Sequence, residues 1–116
     1  MPVKVARKIA RTNLIIGTSC QNADHIREAQ KQGADYIGLG SVYQTLTKPE
    51  RRGLDQRELK RMVRLARIPV FAIGGINLQK IEGLKASGIR RIAVTRSIML
   101  ARDIPKAVSR LKQEMA

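Results

Sequence analysis

Two hydroxyls and one ammonium group, from Thr45, Thr47 and Lys48, fall within four residues of each other on segment 41–53. Such a group can hold a pyrophosphate by charge and hydrogen bonds while it departs, on a connection longer than structure alone requires. The same composition also describes a basic loop rich in turn formers. Gly74-Gly75, at the end of an apolar run, leaves backbone N–H groups uncovered where a helix begins, which suits a phosphate oxygen. A Gly-Gly pair by itself is a weak signal, more often simply a tight turn. Thr95-Arg96-Ser97 repeats the arrangement after the next apolar run, and the two loops together favour phosphate. Ser19-Cys20-Gln21-Asn22, small and polar, follows an earlier run. No paired carboxylates, metal-ligand cluster or Ser-His-Asp set can be read, so no residue is assigned to a metal. His25 falls within a helical pattern as a surface or half-buried polar group, and Cys20 reads as a small packed residue.

These positions acquire meaning from the elements that carry them. Short β-rich runs at 14–19, 36–40, 70–73 and 91–94 alternate with helical patterns at 23–32, 55–66, 78–86 and 105–114. A short turn is expected at 97–101, and a leading helix at 2–11. The strands are almost continuously apolar, which suits parallel strands buried on both faces. In parallel α/β folds the active site forms at the carboxyl ends of the strands, where all the segments above lie. Asn22 and Asn77 are expected N-caps, and Gly33 and Gly88 stop helices. Asn22, Ile26, Gly33 and Ile37 recur as Asn77, Ile81, Gly88 and Ile92, each 55 positions further on. Cap, helix face, stop and strand are thus used twice, and repeated βα units favour a barrel or an open parallel sheet.

Composition narrows the partners. The 116 residues hold 23 Lys and Arg against 9 Asp and Glu, a net charge of +14, which invites anions or simply keeps the surface solvated. On the helix at 55–66, Leu59, Met62, Val63 and Ala66 form an apolar stripe while Arg57, Lys60, Arg61 and Arg64 face outward. A basic nucleic-acid-binding module is the third and weakest reading. Aromatics are only 3%, and Tyr36, Tyr43 and Phe71 are too scattered to stack bases. A single cysteine forms no internal disulfide, and no apolar run reaches the roughly 18 residues that span a bilayer. The first ten residues read as a charged helix and not a signal peptide. A soluble, cytoplasmic chain without membrane contact is expected.

Four stretches taken together are specific: Gly-Ala-Asp-Tyr-Ile-Gly-Leu-Gly at 33–40, Thr-Leu-Thr-Lys-Pro at 45–49, Ile-Pro-Val-Phe-Ala-Ile-Gly-Gly-Ile at 68–76 and Ile-Ala-Val-Thr-Arg-Ser-Ile at 92–98. Their order and spacing resemble the thiamine phosphate synthase and thiazole tautomerase family over essentially the whole chain. The resemblance implies an α/β fold, the parallel (βα)4 C-terminal half of a TIM barrel preceded by one helix, with residues 1–116 as a single half-barrel domain. It implies transferase chemistry in thiamine biosynthesis: hydroxymethylpyrimidine pyrophosphate ionises, thiazole phosphate captures the pyrimidine cation, and pyrophosphate leaves with magnesium. Carried over by position, Ser19, Thr45, Thr47 and Lys48 stand near the pyrophosphate, with Lys48 and Ser19 as the catalytic residues. Gly74 and Gly75 match the thiazole-phosphate loop, and Thr95, Arg96 and Ser97 its neighbour. The family's magnesium aspartates belong to the first half of the barrel, so no cofactor is expected in this half and magnesium only in a completed barrel. Gln21 stands where the tautomerase type has histidine, and Arg96 where the family often has a small residue. Ser41, Tyr43 and Gln44 replace a common proline and phenylalanine.

Four parallel strands taken from an eight-stranded barrel expose two edges and an apolar inner face. A homodimer, a complementary half-barrel, or a flattened sheet with the first helix folded over one face would relieve this. The leading expectation is the phosphate- and pyrophosphate-binding half of a synthase-like transferase, weak or inactive alone. The alternative is a non-catalytic, excised or engineered half-barrel scaffold that self-associates.

Overall fold

A computed structural model describes residues 1–10, 13–43 and 53–116. In chain order the elements are α1 (Val3–Ala10), β1 (Gly17–Cys20), α2 (Ala23–Lys31), β2 (Tyr36–Leu39), α3 (Gln56–Leu65), β3 (Val70–Ile73), a single 3₁₀ turn (Leu78–Lys80), α4 (Ile81–Ala86), β4 (Arg91–Ala93), α5 (Arg96–Met99) and α6 (Ile104–Met115). The strands pair in sequence order, all parallel. This is the parallel (βα)4 half-barrel, preceded by one helix, that the family resemblance implies.

Register separates the two faces of the sheet. Ser19 pairs with Gly38, Gly38 with Phe71, and Phe71 with Arg91, so these residues share one face with Gly17, Tyr36, Ile73 and Ala93. Tyr36 and Phe71 meet edge to face there, with ring centroids 5.5 Å apart. The opposite face carries Cys20, Ile37, Leu39 and Ala72, all buried in one core with Ile26, Ala29, Leu59, Met62 and Leu84 from the helices. Each fully buried Ile or Leu of this core contributes about 1.5–3 kcal/mol relative to exposure. The first face has no such cover: Gly17, Ser19, Tyr36, Ile73 and Arg91 are exposed. Helix α1 does not fold over it. Val3 joins the core on the helical side, and Arg7 reaches the carbonyls of Leu14 (2.7 Å) and Gly33 (2.9 Å) and the carboxylate of Asp35 (2.7 Å). Asp35 also accepts from the Ile16 amide at 2.8 Å. The Arg7 hydrogen bond, reinforced by that amide, holds the carboxyl below the ordinary aspartate range.

The 55-residue repeat is physical. Asn22 and Asn77 are both extended; Ile26 and Ile81 are both buried; Gly33 and Gly88 both take positive φ, 88° and 95°. The copies part at the cap. The Asn22 side chain accepts from the His25 amide, whereas Asn77 makes no capping bond, and its helix begins instead as a 3₁₀ turn over Leu78–Lys80. Helix α3 does use its stripe as expected, with Leu59 and Met62 buried and Arg57, Lys60, Arg61 and Arg64 exposed. Its N-cap Asp55 accepts from the Glu58 amide, which keeps that carboxyl below its ordinary range. Cys20 is buried, which pushes its thiol pKa up, and His25 is exposed.

Candidate functional site

Gly74 and Gly75 turn the chain away from β3 with φ of 106° and 63°, values that side-chain-bearing residues rarely adopt. At Gly74 the turn also has no room. A Cβ there would strike Ser41, both its hydroxyl and its Cα. That crowding comes from the segment following β2, which is stitched to the end of β3. Val42 N–H donates to the Ile73 carbonyl at 2.9 Å, and Tyr43 N–H to the Gly74 carbonyl at 3.2 Å. Ser41 Oγ donates to the Tyr43 carbonyl at 3.0 Å, fixing the corner.

The next loop is joined from the other side. Thr95 follows β4 as the residue that opens α5, and Ser97 Oγ donates to the carbonyl of Ile76. Being in the first turn, the Arg96 and Ser97 N–H groups have no carbonyl one turn behind them to bond. The Arg96 side chain is exposed at this rim. The hydrogen bond from Ser97 to Ile76 sets the loop after β4 beside the loop that follows the Gly74–Gly75 turn. It gives the Ser97 hydroxyl a specific task, tying one loop to the other.

Ser19 lies on β1 next to Gly38, exposed on the open face. Thr45, Thr47 and Lys48 lie outside the described residues. The ends of their segment are described, and they close on each other: Leu54 N–H donates to the Val42 carbonyl at 3.1 Å. The segment thus leaves and rejoins the fold beside the Gly74 turn.

Two contributors were not singled out from the sequence as parts of the site. Tyr43 is half-buried with the Lys80 ammonium 4.7 Å from its ring centroid, a cation–π contact that ties the loop after β2 to the 3₁₀ turn after β3. Burial raises the Tyr43 phenol pKa, so it stays protonated at neutral pH. Ser41 is the wall that makes glycine obligatory at 74. Both stand where the family pattern has other residues, which was the available signal. Among the described residues no three His, Cys, Asp or Glu gather into a metal-binding group, and no helix is long and apolar enough to cross a membrane.

Comparison with known proteins agrees with this fold. The family model for thiamine monophosphate synthase matches residues 1–98. The thiamine-phosphate synthase of Pyrococcus abyssi is 43% identical over 113 residues, covering 97% of this chain and 54% of its own. That of Fusobacterium nucleatum is 38% identical over 111 residues, covering 96% and 54%. The chain thus spans about half the length of the curated relatives it matches. Among solved structures, thiamine phosphate pyrophosphorylase from Pyrococcus furiosus superposes with a TM-score of 0.89 at 39% identity, over 99% of this chain and 55% of that one. A 3-hexulose-6-phosphate synthase superposes with a TM-score of 0.74 at 21% identity, over 98% and 56%, a likeness of fold.

Proposed function

This chain belongs to the thiamine monophosphate synthase family, and from that premise we propose that it is the phosphate- and pyrophosphate-binding half of a synthase-like transferase acting in the cytoplasm. The reaction joins hydroxymethylpyrimidine pyrophosphate to thiazole phosphate. The carbon–oxygen bond to pyrophosphate breaks, its electron pair leaves with the anion, and the thiazole nitrogen forms the new bond to carbon. In this reading Lys48, with Thr45 and Thr47, neutralises charge as it builds on the departing pyrophosphate, and Ser19 donates to it. The Gly74–Gly75 turn and the Thr95–Ser97 loop hold the thiazole phosphate through backbone N–H groups, with Arg96 adding charge.

The observation that supports the reading is the hydrogen bond from Ser97 to Ile76, which joins the two loops that this reading assigns to phosphate. The open face requires closure by a second copy or a complementary half before turnover, so the isolated chain is expected to bind anions and to turn over little. Calorimetric titration with inorganic pyrophosphate tests the binding. Saturable one-to-one heat at ordinary salt is expected. Heat that vanishes at about 0.3 M salt and shows no saturation contradicts it, since that is the behaviour of a diffuse basic surface.

A further inference from the structure

The turn after β3 is tied only lightly from within. Gly74 and Gly75 take φ of 106° and 63° and have no side chains with which to hold that shape. Asn77, placed to cap the helix that follows, makes no side-chain capping bond. The Lys80 N–H closes a single 3₁₀ turn on the Asn77 carbonyl at 3.0 Å, and hydrogen bonds of that kind are less well aligned than those of an α-helix. The amides between Gly74 and Lys80 therefore depend on neighbours for a fixed position.

Two neighbours reach this stretch. Ser97 holds its middle through the Ile76 carbonyl. Tyr43 holds both ends. Its N–H donates to the Gly74 carbonyl at 3.2 Å, and the Lys80 ammonium lies 4.7 Å from its ring centroid, within range of a cation–π contact. Tyr43 is itself secured: Ser41 Oγ donates to its carbonyl at 3.0 Å, and the residue packs against the buried core. Lys80 is exposed and, among the described residues, makes no ion pair that would draw its ammonium away from the ring. The Tyr43 hydroxyl stands 3.5 Å from the Lys80 carbonyl, at the limit for a hydrogen bond.

We propose that Tyr43 is a positioning residue for the phosphate-binding turn: its backbone anchors Gly74, its ring anchors Lys80, and the Gly75 and Ile76 amides between these points are presented at a fixed spacing. A site built from backbone amides needs such support from outside the turn. The ring carries the role and the hydroxyl does not, because the hydroxyl contact is at the limit of hydrogen bonding. This role rests on the phosphate reading of the Gly74–Gly75 turn given above, and Tyr43 acts through the turn without contacting phosphate.

Tyr43→Phe keeps the ring and Tyr43→Leu removes it. Amide hydrogen exchange of the ligand-free chains reads the turn at Lys80 and Ile81, whose N–H groups bond the Asn77 and Leu78 carbonyls. Ile37 in the sheet, bonded to the Pro69 carbonyl, is the reference. In Tyr43→Leu, protection at Lys80 and Ile81 is expected to fall at least about tenfold further than at Ile37, and the Kd for inorganic phosphate to rise at least about tenfold. Tyr43→Phe is expected to stay within about twofold of wild type in both. Protection that falls equally at all three amides makes Tyr43 an ordinary core residue and overturns the proposal, as does a Phe variant impaired as much as the Leu variant. Lys80→Gln, at an exposed position, gives an arm that does not depend on Tyr43→Leu folding: protection at Ile81 should fall about two- to fivefold relative to Ile37, and no change there overturns the proposal. Wild type that binds phosphate beside a folded Tyr43→Leu chain of equal affinity sinks the positioning role alone, whereas wild type that binds no phosphate sinks the phosphate reading and this role with it.

Discussion

Gly74→Ala is expected to cost about 2–4 kcal/mol of stability, combining positive-φ strain with overpacking against Ser41, and to weaken phosphate binding at least about tenfold. The strain follows from φ of 106°. The overpacking follows from Ser41, whose Cα and hydroxyl occupy the space a Cβ would need. Ser41 has little freedom to retreat, because the residues after it are bonded to the end of β3 through Val42 and Tyr43. The turn must therefore shift, and with it the amides that would face a phosphate. Gly83 provides the contrast. It lies inside α4, and a Cβ there would meet only the Tyr43 hydroxyl at 3.5 Å, an ordinary contact. Gly83→Ala should stabilise by about 0.5–1 kcal/mol through helix propensity and leave phosphate affinity unchanged. Thermal denaturation and phosphate titration of the two variants, side by side, measure both effects. Equal affinity in Gly74→Ala would remove the turn from the site.

Lys48→Ala should lose about 1.5–3 kcal/mol of pyrophosphate affinity, the value of a charge-assisted hydrogen bond, or roughly tenfold to a hundredfold in Kd. Its far-ultraviolet circular dichroism should match wild type, because the base of the segment is closed by the Leu54 to Val42 bond. Lys60→Ala on the exposed face of α3 removes the same charge elsewhere and should change affinity less than about twofold. Equal losses in the two variants would mean that pyrophosphate feels net charge and no particular loop.

The fold was legible because its signals are local and repeated. The glycine at 33 and its counterpart at 88 both stop a helix with positive φ, and the isoleucines four residues after each Asn are both buried. Asn77 escaped that logic. An Asn before a helical pattern promises a cap, yet the chain leaving the Gly74–Gly75 turn enters a 3₁₀ turn first, and the side chain makes no capping bond. Strand ends were misplaced for a related reason. The apolar run from Leu14 suggested a strand over 14–19, but Leu14 and Ile15 are exposed, and pairing with β2 begins only at Gly17. Hydropathy marks what a strand buries in a closed barrel, while hydrogen bonding needs a neighbour. In the site, glycine pairs and a Thr-Arg-Ser triplet were readable from type and spacing. The bond from Ser97 to Ile76 and the wall formed by Ser41 were not, since both depend on how neighbouring strands set their loops side by side.

The central claim is that a phosphate settles on the rim formed by the loops after β3 and β4. Titrating isotope-labelled chain with inorganic phosphate, and following the amide nitrogen–proton correlations, tests it most directly. The largest shifts should appear at Gly75, Ile76, Arg96 and Ser97, saturating together with a single Kd. Shifts centred instead on Arg57, Lys60, Arg61 and Arg64 of α3, or scattered in proportion to nearby charge, would contradict it.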